Sequence, residues 1–263
     1  MIGQKLFNSY LDNWQKPPQF IILNGEEGSG RSTLVELIKH KFKYQSIICG
    51  TSAEEVREVV TMSYTISSPT FYIFYNGDKL SVSAKNSLLK VVEEQPQNAF
   101  FIMRTEFGVM ETLKNRSFYY NMQPYSFLEL KEYFCSCGKQ ELFSEYGKIC
   151  KNIGQIKTFL NSPYEEIIDY CTKIITIIRE VSQGNIFNIS TKLNFGEDLN
   201  KWDTTLFINI LEWVLNKKYI ETKDDKYFQA IFRLNNVKSS LRINGVNKQV
   251  VFDNFLLGLK YLL

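Results

Sequence analysis

The stretch FIILNGEEGSGRSTLVELIKHKF, residues 20–42, decides the fold of this chain because three patterns follow one another in it without a gap. Its apolar opening, FIIL, predicts a strand that is buried on both faces. Its second half, STLVELIKHKF, predicts a helix. Gly25, Gly28 and Gly30 lie between the two, where they allow the backbone to turn its N–H groups toward an anion at the helix N-terminus. A strand, a glycine-rich loop and a helix in this order are typical of a phosphate-binding loop.

The loop departs from the usual pattern G-x-x-x-x-G-K-[S/T] at one position, since Arg31 takes the place of the lysine. Lysine is a slim point charge, whereas arginine is a wide planar fork, so the geometry around a phosphate changes. The remnant of the phosphate loop comprises Gly25, Gly28, Gly30, Arg31, Ser32 and Thr33. Three interpretations stay open: hydrolysis of a nucleotide, silent binding of a nucleotide or phosphate, and a purely structural loop. The last is favoured.

A P-loop enzyme also needs acidic residues at the end of a second strand, where they hold magnesium and activate water. The candidate strand lies in FYIFYNGDKL, residues 71–80, and its end reads Tyr75-Asn76-Gly77. Asp78 comes two positions too late for the usual register. Without these carboxylates the loop lacks the main electrostatic parts of metal-assisted hydrolysis. We therefore expect no ATP turnover by this chain alone.

Strand and helix patterns alternate along the first 124 residues, which predicts a parallel sheet wrapped by helices. The predicted strands are 20–25, 45–50, 71–76, 99–105 and 118–123. After Pro124 only helical patterns follow, and the longest has an apolar face from Ile167 to Val181. The predicted domains are an α/β domain with a five-stranded parallel sheet (1–124), a small helical domain (125–162) and an all-helical domain (163–263).

Composition argues against several other classes of protein. The formal net charge of +3, from 31 basic and 28 acidic side chains, is too small to indicate nucleic-acid binding by itself. The five cysteines include no C-x-x-C pair, and His40 is the one histidine beside them, so no zinc or other metal site is expected. The N-terminal segment lacks an apolar core and no apolar run reaches membrane-spanning length, which predicts a soluble, cytoplasmic protein.

The segment GDKLSVSAKNSLLKVVEEQPQNAFFIMRT, residues 77–105, carries a denser pattern than the loop does. It closely resembles the AAA+ subunits of clamp loaders, whose pattern is D-x-L-x-x-x-A-x-N-x-L-L-K-x-x-E-E-x-P followed by an apolar strand. The matching residues are Asp78, Leu80, Ala84, Asn86, Leu88, Leu89, Lys90, Glu93, Glu94 and Pro96. Ile2-Gly3-Gln4 resembles the N-terminal box of the same family. The resemblance implies an AAA+ nucleotide-binding-type domain, a three-helix lid and a helical collar that takes part in oligomerisation.

Within that family the chain looks most like the delta-prime class of the bacterial DNA polymerase III clamp loader, which implies a non-hydrolysing subunit. Arg116, in Lys114-Asn-Arg-Ser117, stands where the family carries an arginine finger that acts in a neighbour's ATPase site. Thr105 and Lys157 fall at the two sensor positions of the family. The implied partners are tau/gamma-type motor subunits and delta-type subunits in a hetero-oligomeric ring, the sliding clamp and, indirectly, primed DNA.

A second hypothesis treats the chain as an enzyme in its own right, a stand-alone or phage-type P-loop ATPase with Arg31 in place of lysine. The intact glycine spacing and the pair Ser32-Thr33 support it. ATP turnover by the purified chain separates the two hypotheses. Only the second predicts turnover, and it also predicts that Ser32→Ala abolishes it.

Overall fold

The sheet of the first half forms from the apolar runs seen in the sequence. The computed structural model describes residues 2–180, 201–241 and 246–263. Its strands are β1 (Phe20–Asn24), β2 (Gln45–Ile48), β3 (Thr70–Phe74), β4 (Ala99–Thr105) and β5 (Phe118–Asn121). Neighbouring strands are all parallel, and their order is β2-β3-β4-β1-β5. The five predicted strands and the α/β class are therefore confirmed.

Helices cover both faces of this sheet. They are α1 (Lys5–Asn13), α2 (Arg31–Phe42), α3 (Ala53–Ser63), α4 (Val82–Glu94) and the short α5 (Glu111–Lys114), with a 3₁₀ turn at Gly77–Lys79. Side chains alternate along the central strands, so neighbouring residues enter different cores. Ile22 and Phe101 pack in the core that includes α3 and α4, whereas Ile21 and Phe100 pack in the core that includes α1 and α2. With both faces covered, the carboxyl ends of the strands are the edge where such sheets carry ligand sites.

After β5 the described residues form helices and no further strand. The helices are α6 (Phe127–Ser136), α7 (Gln140–Tyr146), α8 (Ile153–Leu160), α9 (Tyr164–Glu180), α10 (Thr204–Thr222), α11 (Asp225–Leu241) and α12 (Lys248–Leu262). Val181, the last residue of the apolar face predicted from Ile167, lies outside the described residues. None of the helices in the described part of the chain has the length and apolar character needed to cross a bilayer.

Contacts between residues divide the chain into two compact units. The first is Met1–Tyr133 with Asn152–Gly154, and the second is Phe134–Lys151 with Gln155–Leu263. The sheet, the phosphate-type loop and a short segment of the later chain thus belong to one unit. The division into three domains at residues 124 and 162 stays a prediction.

Candidate functional site: the phosphate loop and Arg116

The phosphate-type loop joins β1 to α2, and α2 begins at Arg31. Gly28 and Gly30 have φ angles of 82° and 99°, at which a residue with a side chain is strained, so these two positions favour glycine. Gly25 donates its N–H to the carbonyl oxygen of Thr105 over 3.0 Å, which ties the start of the loop to the end of β4. The glycines therefore serve the turn that the sequence predicted between strand and helix.

Residues 152–154 cover one side of the loop. Asn152 is buried, and its Nδ2 donates to the carbonyl oxygen of Glu27 over 3.1 Å. Gly154 donates its N–H to the carbonyl oxygen of Gly28 over 3.0 Å. A Cβ atom on Gly154 would lie 2.2 Å from the Cα of Gly28, so this approach requires glycine at position 154. The loop is thus held through its carbonyl oxygens by a segment from much later in the chain.

The hydroxyl of Ser29 is buried beside the start of the loop. Ser29 is 7% exposed, and its Oγ has no hydrogen-bond partner within the described chain. Its backbone oxygen, by contrast, accepts a hydrogen bond of 3.0 Å from Tyr125 Oη. A Cβ atom built on Gly25 would lie 3.0 Å from Ser29 Oγ, so the hydroxyl is turned toward the start of the loop. A buried hydroxyl without a partner is unfavourable, so this position costs free energy in the folded chain.

Arg104 fills the position beside Ser32. It extends from β4, and its Nη1 donates to Ser32 Oγ. Its Nε and Nη2 both donate to the carbonyl oxygen of Tyr75, over 3.3 and 3.0 Å, and its guanidinium carbon lies 4.4 Å from the centre of the Tyr75 ring. Burial, followed by the positive charge of Arg31, lowers the pKa of Arg104. The hydroxyl of Ser32 therefore already accepts a hydrogen bond from a positively charged side chain.

Asp78, the acid nearest to the end of β3, closes the loop that follows β4. Its carboxylate accepts hydrogen bonds from Thr105 Oγ1 (2.6 Å), Glu106 N (2.8 Å) and Phe107 N (3.0 Å). Thr105 is completely buried. The positions that end β3 itself carry Tyr75 and no acid, as the sequence indicated. The sensor role of Thr105 stays a prediction. Its hydroxyl lies within hydrogen-bond distance of both Asp78 Oδ1 and the carbonyl oxygen of Gly108 (3.0 Å).

Arg116 follows α5 and precedes β5, which is the last strand at one edge of the sheet. Its side chain is 47% exposed. Its Nη1 donates to the carbonyl oxygen of Thr112 over 3.1 Å, and its Nε lies 3.5 Å from Glu93 Oε1. Ion pairs this exposed contribute little to stability, so the guanidinium can leave Glu93 for a stronger acceptor. The finger role of Arg116 stays a prediction.

Lys157 and the cysteines are the remaining residues that the sequence singled out. Lys157 lies on α8 with an exposed side chain, and its sensor role stays a prediction. Cys49, Cys150 and Cys171 are buried, whereas Cys135 and Cys137 are exposed. In residues 2–180, 201–241 and 246–263, no group of three or more His, Cys, Asp or Glu side chains is placed to hold a metal ion.

Sequence reasoning found the loop but missed two of its neighbours. Arg104 gives one signal in the sequence, since it is the lone charged residue in the apolar strand AFFIMRT. The contact of Asn152 and Gly154 with the loop joins positions about 125 residues apart, as the hydrogen bond from Asn152 shows. No local spacing encodes a contact of that range.

The fold and the loop together define a class of protein, the P-loop type of α/β domain with an altered phosphate site, continued by helices. Residues 15–126 match the family model described as DNA polymerase III, delta subunit. That range covers β1 to β5 and the phosphate-type loop. The resemblance to subunits of DNA polymerase III is thereby confirmed.

Comparison with individual proteins points the same way. The curated DNA polymerase III subunit delta' of Buchnera aphidicola subsp. Baizongia pistaciae (strain Bp) is 24% identical, over 69% of this chain and 61% of that protein. The match thus spans about three fifths of the length of that relative. Among solved structures, a DNA polymerase III gamma subunit-related protein from Thermotoga maritima has a TM-score of 0.55 at 14% identity, over 98% of both chains. A single-residue variant of RuvB from Thermotoga maritima has a TM-score of 0.50 at 13% identity, over 73% of this chain and 82% of that one. At such identities the structural likeness shows the type of fold alone, whereas the family model and the curated relative show a likeness to subunits of DNA polymerase III.

Proposed function

We propose that this chain is a non-hydrolysing, delta-prime-like subunit of a cytoplasmic DNA-replication clamp loader. In this role it assembles with tau/gamma-type motor subunits and a delta-type subunit in a hetero-oligomeric ring. It supplies Arg116 to the ATPase site of a neighbouring subunit while the ring loads the sliding clamp onto primed DNA. The names of the matching family and of the curated relative support the assignment to DNA polymerase III.

The proposal rests on one contrast, between the phosphate loop and Arg116. At the phosphate loop, the hydroxyl of Ser32 accepts from Arg104, and the end of β3 supplies no carboxylate for a metal. Arg116, in contrast, is exposed at the edge of the sheet and is engaged only by a backbone carbonyl and one weak ion pair within the described chain. The chain's own loop is thus poorly equipped for hydrolysis, while its candidate finger is available to another subunit.

The experiment is an ATPase assay on the reconstituted ring, with motor and delta-type subunits from the same cells. Arg116→Ala is expected to lower the DNA- and clamp-stimulated rate at the adjoining site by about 10³–10⁵-fold, the contribution of arginine fingers in phosphoryl transfer. Because the other ATPase sites of the ring keep turning over, the readout is single-turnover hydrolysis at that one site. Lys114→Ala is the matched control, since Lys114 lies two residues away with a side chain 38% exposed.

Size-exclusion chromatography of each reconstituted mixture separates loss of the finger from loss of assembly. An intact ring with an unchanged hydrolysis rate after Arg116→Ala would overturn the finger assignment. Turnover of ATP by the purified chain alone, abolished by Ser32→Ala, would replace the proposal with the stand-alone ATPase.

A further inference from the structure

The helix that carries Glu93 ends in a charge pattern that opposes its own dipole. Helix α4 finishes with Glu93 and Glu94, and its last turn contains no basic residue. Carboxylates are unfavourable at this end of a helix, because the unpaired carbonyl oxygens there already carry partial negative charge. Lys90, one turn earlier, lies over the Tyr64 ring with its Nζ 5.6 Å from the ring centre. Compensation for the two carboxylates therefore has to come from other elements.

The two glutamates have different neighbours. Glu93 Oε1 lies 3.5 Å from the Nε of Arg116. Glu94 acts on a tyrosine instead, since burial and, after it, the Glu94 carboxylate raise the pKa of Tyr64 to about 12. In residues 2–180, 201–241 and 246–263, no salt bridge other than that of Arg116 involves either glutamate. The candidate finger is thus the cation that α4 draws to its negative end.

The contact between Arg116 and Glu93 is a loose charge contact. The two side chains are 47% and 56% exposed, and 3.5 Å is longer than the about 2.7–2.9 Å of a charge-assisted hydrogen bond. The hydrogen bond that the guanidinium makes within the described chain goes to the carbonyl oxygen of Thr112. Such a contact does not fix the orientation of the arginine. It does offset part of the positive charge that a finger offers to a phosphate.

We propose that Glu93 is a counter-ion that competes with the γ-phosphate of a neighbour's ATP for Arg116. The finger leaves Glu93 when it binds that phosphate, and it returns to Glu93 when the neighbour holds ADP, which has no γ-phosphate. Because the ion pair is exposed and therefore weak, the competition is graded and reversible and does not block the finger. This inference rests on the finger role proposed above and adds the residue that regulates it.

The test is the affinity of the purified full chain for the motor subunit that it adjoins. Surface plasmon resonance gives the Kd in ADP and in ATPγS, a slowly hydrolysed analogue of ATP, and the ratio of the first Kd to the second reports contacts that need the γ-phosphate. Glu93→Gln should raise this ratio about two- to fivefold, the strength of an exposed ion pair. Glu94→Gln is the matched control, since it removes the same charge from the same helix end but lies beside Tyr64, and it should leave the ratio unchanged.

A double variant shows whether Glu93 acts through the finger. Glu93→Gln combined with Arg116→Ala should give the same ratio as Arg116→Ala alone. A ratio that Glu93→Gln leaves unchanged or lowers would overturn the proposal. An equal rise with Glu94→Gln would also overturn it, because the charge of the helix end would then be the cause. The finger role itself fails only if Arg116→Ala leaves the ratio of the wild-type chain unchanged, so the two failures are distinguishable.

Discussion

At the scale of single residues, the tightest constraint on the candidate site is the absence of a side chain at position 154. Gly154 lies in α8 and approaches Gly28 so closely that an added Cβ would meet backbone atoms at 2.2 Å. Backbone cannot rotate away, so Gly154→Ala must push residues 152–154 off the loop. We expect it to lower the free energy of unfolding by about 1–3 kcal/mol, the range for overpacked sites, as measured by urea denaturation.

Gly258 is a matched control, because it is also helical and also crowded. A Cβ there would meet the Nη1 of Arg233 at 2.4 Å, which is the movable end of a flexible side chain. Gly258→Ala should therefore be neutral or stabilise by up to about 1 kcal/mol through the helix propensity of alanine. Equal losses in the two variants would contradict the close approach of Gly154 to the loop.

At the scale of elements, the hydrogen bonds of Asp78 join the 3₁₀ turn after β3 to the end of β4. Its carboxylate serves one buried hydroxyl, that of Thr105, and the N–H groups of Glu106 and Phe107. Asp78→Ala removes the one carboxylate that these three donors share, so we expect a loss of about 2–3 kcal/mol in the free energy of unfolding. Asp12→Ala, on the exposed side of α1, should change it by less than about 0.5 kcal/mol.

A double-mutant cycle that combines Asp78→Ala with Thr105→Val measures the coupling free energy between these two side chains. The two substitutions share a hydrogen bond of 2.6 Å, so their effects should be strongly non-additive, by about 1 kcal/mol or more. Additive effects would mean that Thr105 and Asp78 do not form that bond in solution. The turn would then be held by the backbone N–H groups alone.

Elements differ in how far the sequence predicts them, and the reasons are physical. The central strands were predicted because burial on both faces makes them continuous apolar runs, as in FIILN and AFFIMRT. Helix α1 was missed because KLFNSYLDN is short and buries only Phe7 and Leu11, whereas its other apolar residues, Leu6 and Tyr10, are exposed. The loop of the candidate site was predicted from its glycines. Arg104 and residues 152–154 were not, since their contacts with the loop depend on how distant elements pack.

At the scale of the whole molecule, three of the five thiols are buried. Their burial makes the free energy of unfolding depend on pH in the alkaline range. Burial raises the pKa of Cys49 and of Cys150 to about 12, and it also raises the pKa of Cys171. Above the ordinary thiol pKa of 9.0, unfolded chains lose protons that the folded chain keeps. The contribution of the buried, protonated thiols to the free energy of unfolding is therefore complete below pH 9.0. It is lost as the pH rises toward 12, by about 1.4 kcal/mol per pH unit for each thiol.

Urea unfolding at a series of pH values above 9.0 measures this slope. Two variants, each with several cysteines replaced, separate the ionisation of the thiols from that of tyrosines and lysines, which lose protons in a similar range of pH. The variant with alanine at Cys49, Cys150 and Cys171 should lose stability more slowly with rising pH than the wild type does. The variant with alanine at the exposed Cys135 and Cys137 should keep the wild-type slope. Because Cys49 belongs to the first unit and Cys171 to the second, the corresponding single variants show whether both units lose stability at alkaline pH. Identical slopes in all variants would mean that the thiols ionise equally in the folded and unfolded chain, in conflict with their burial.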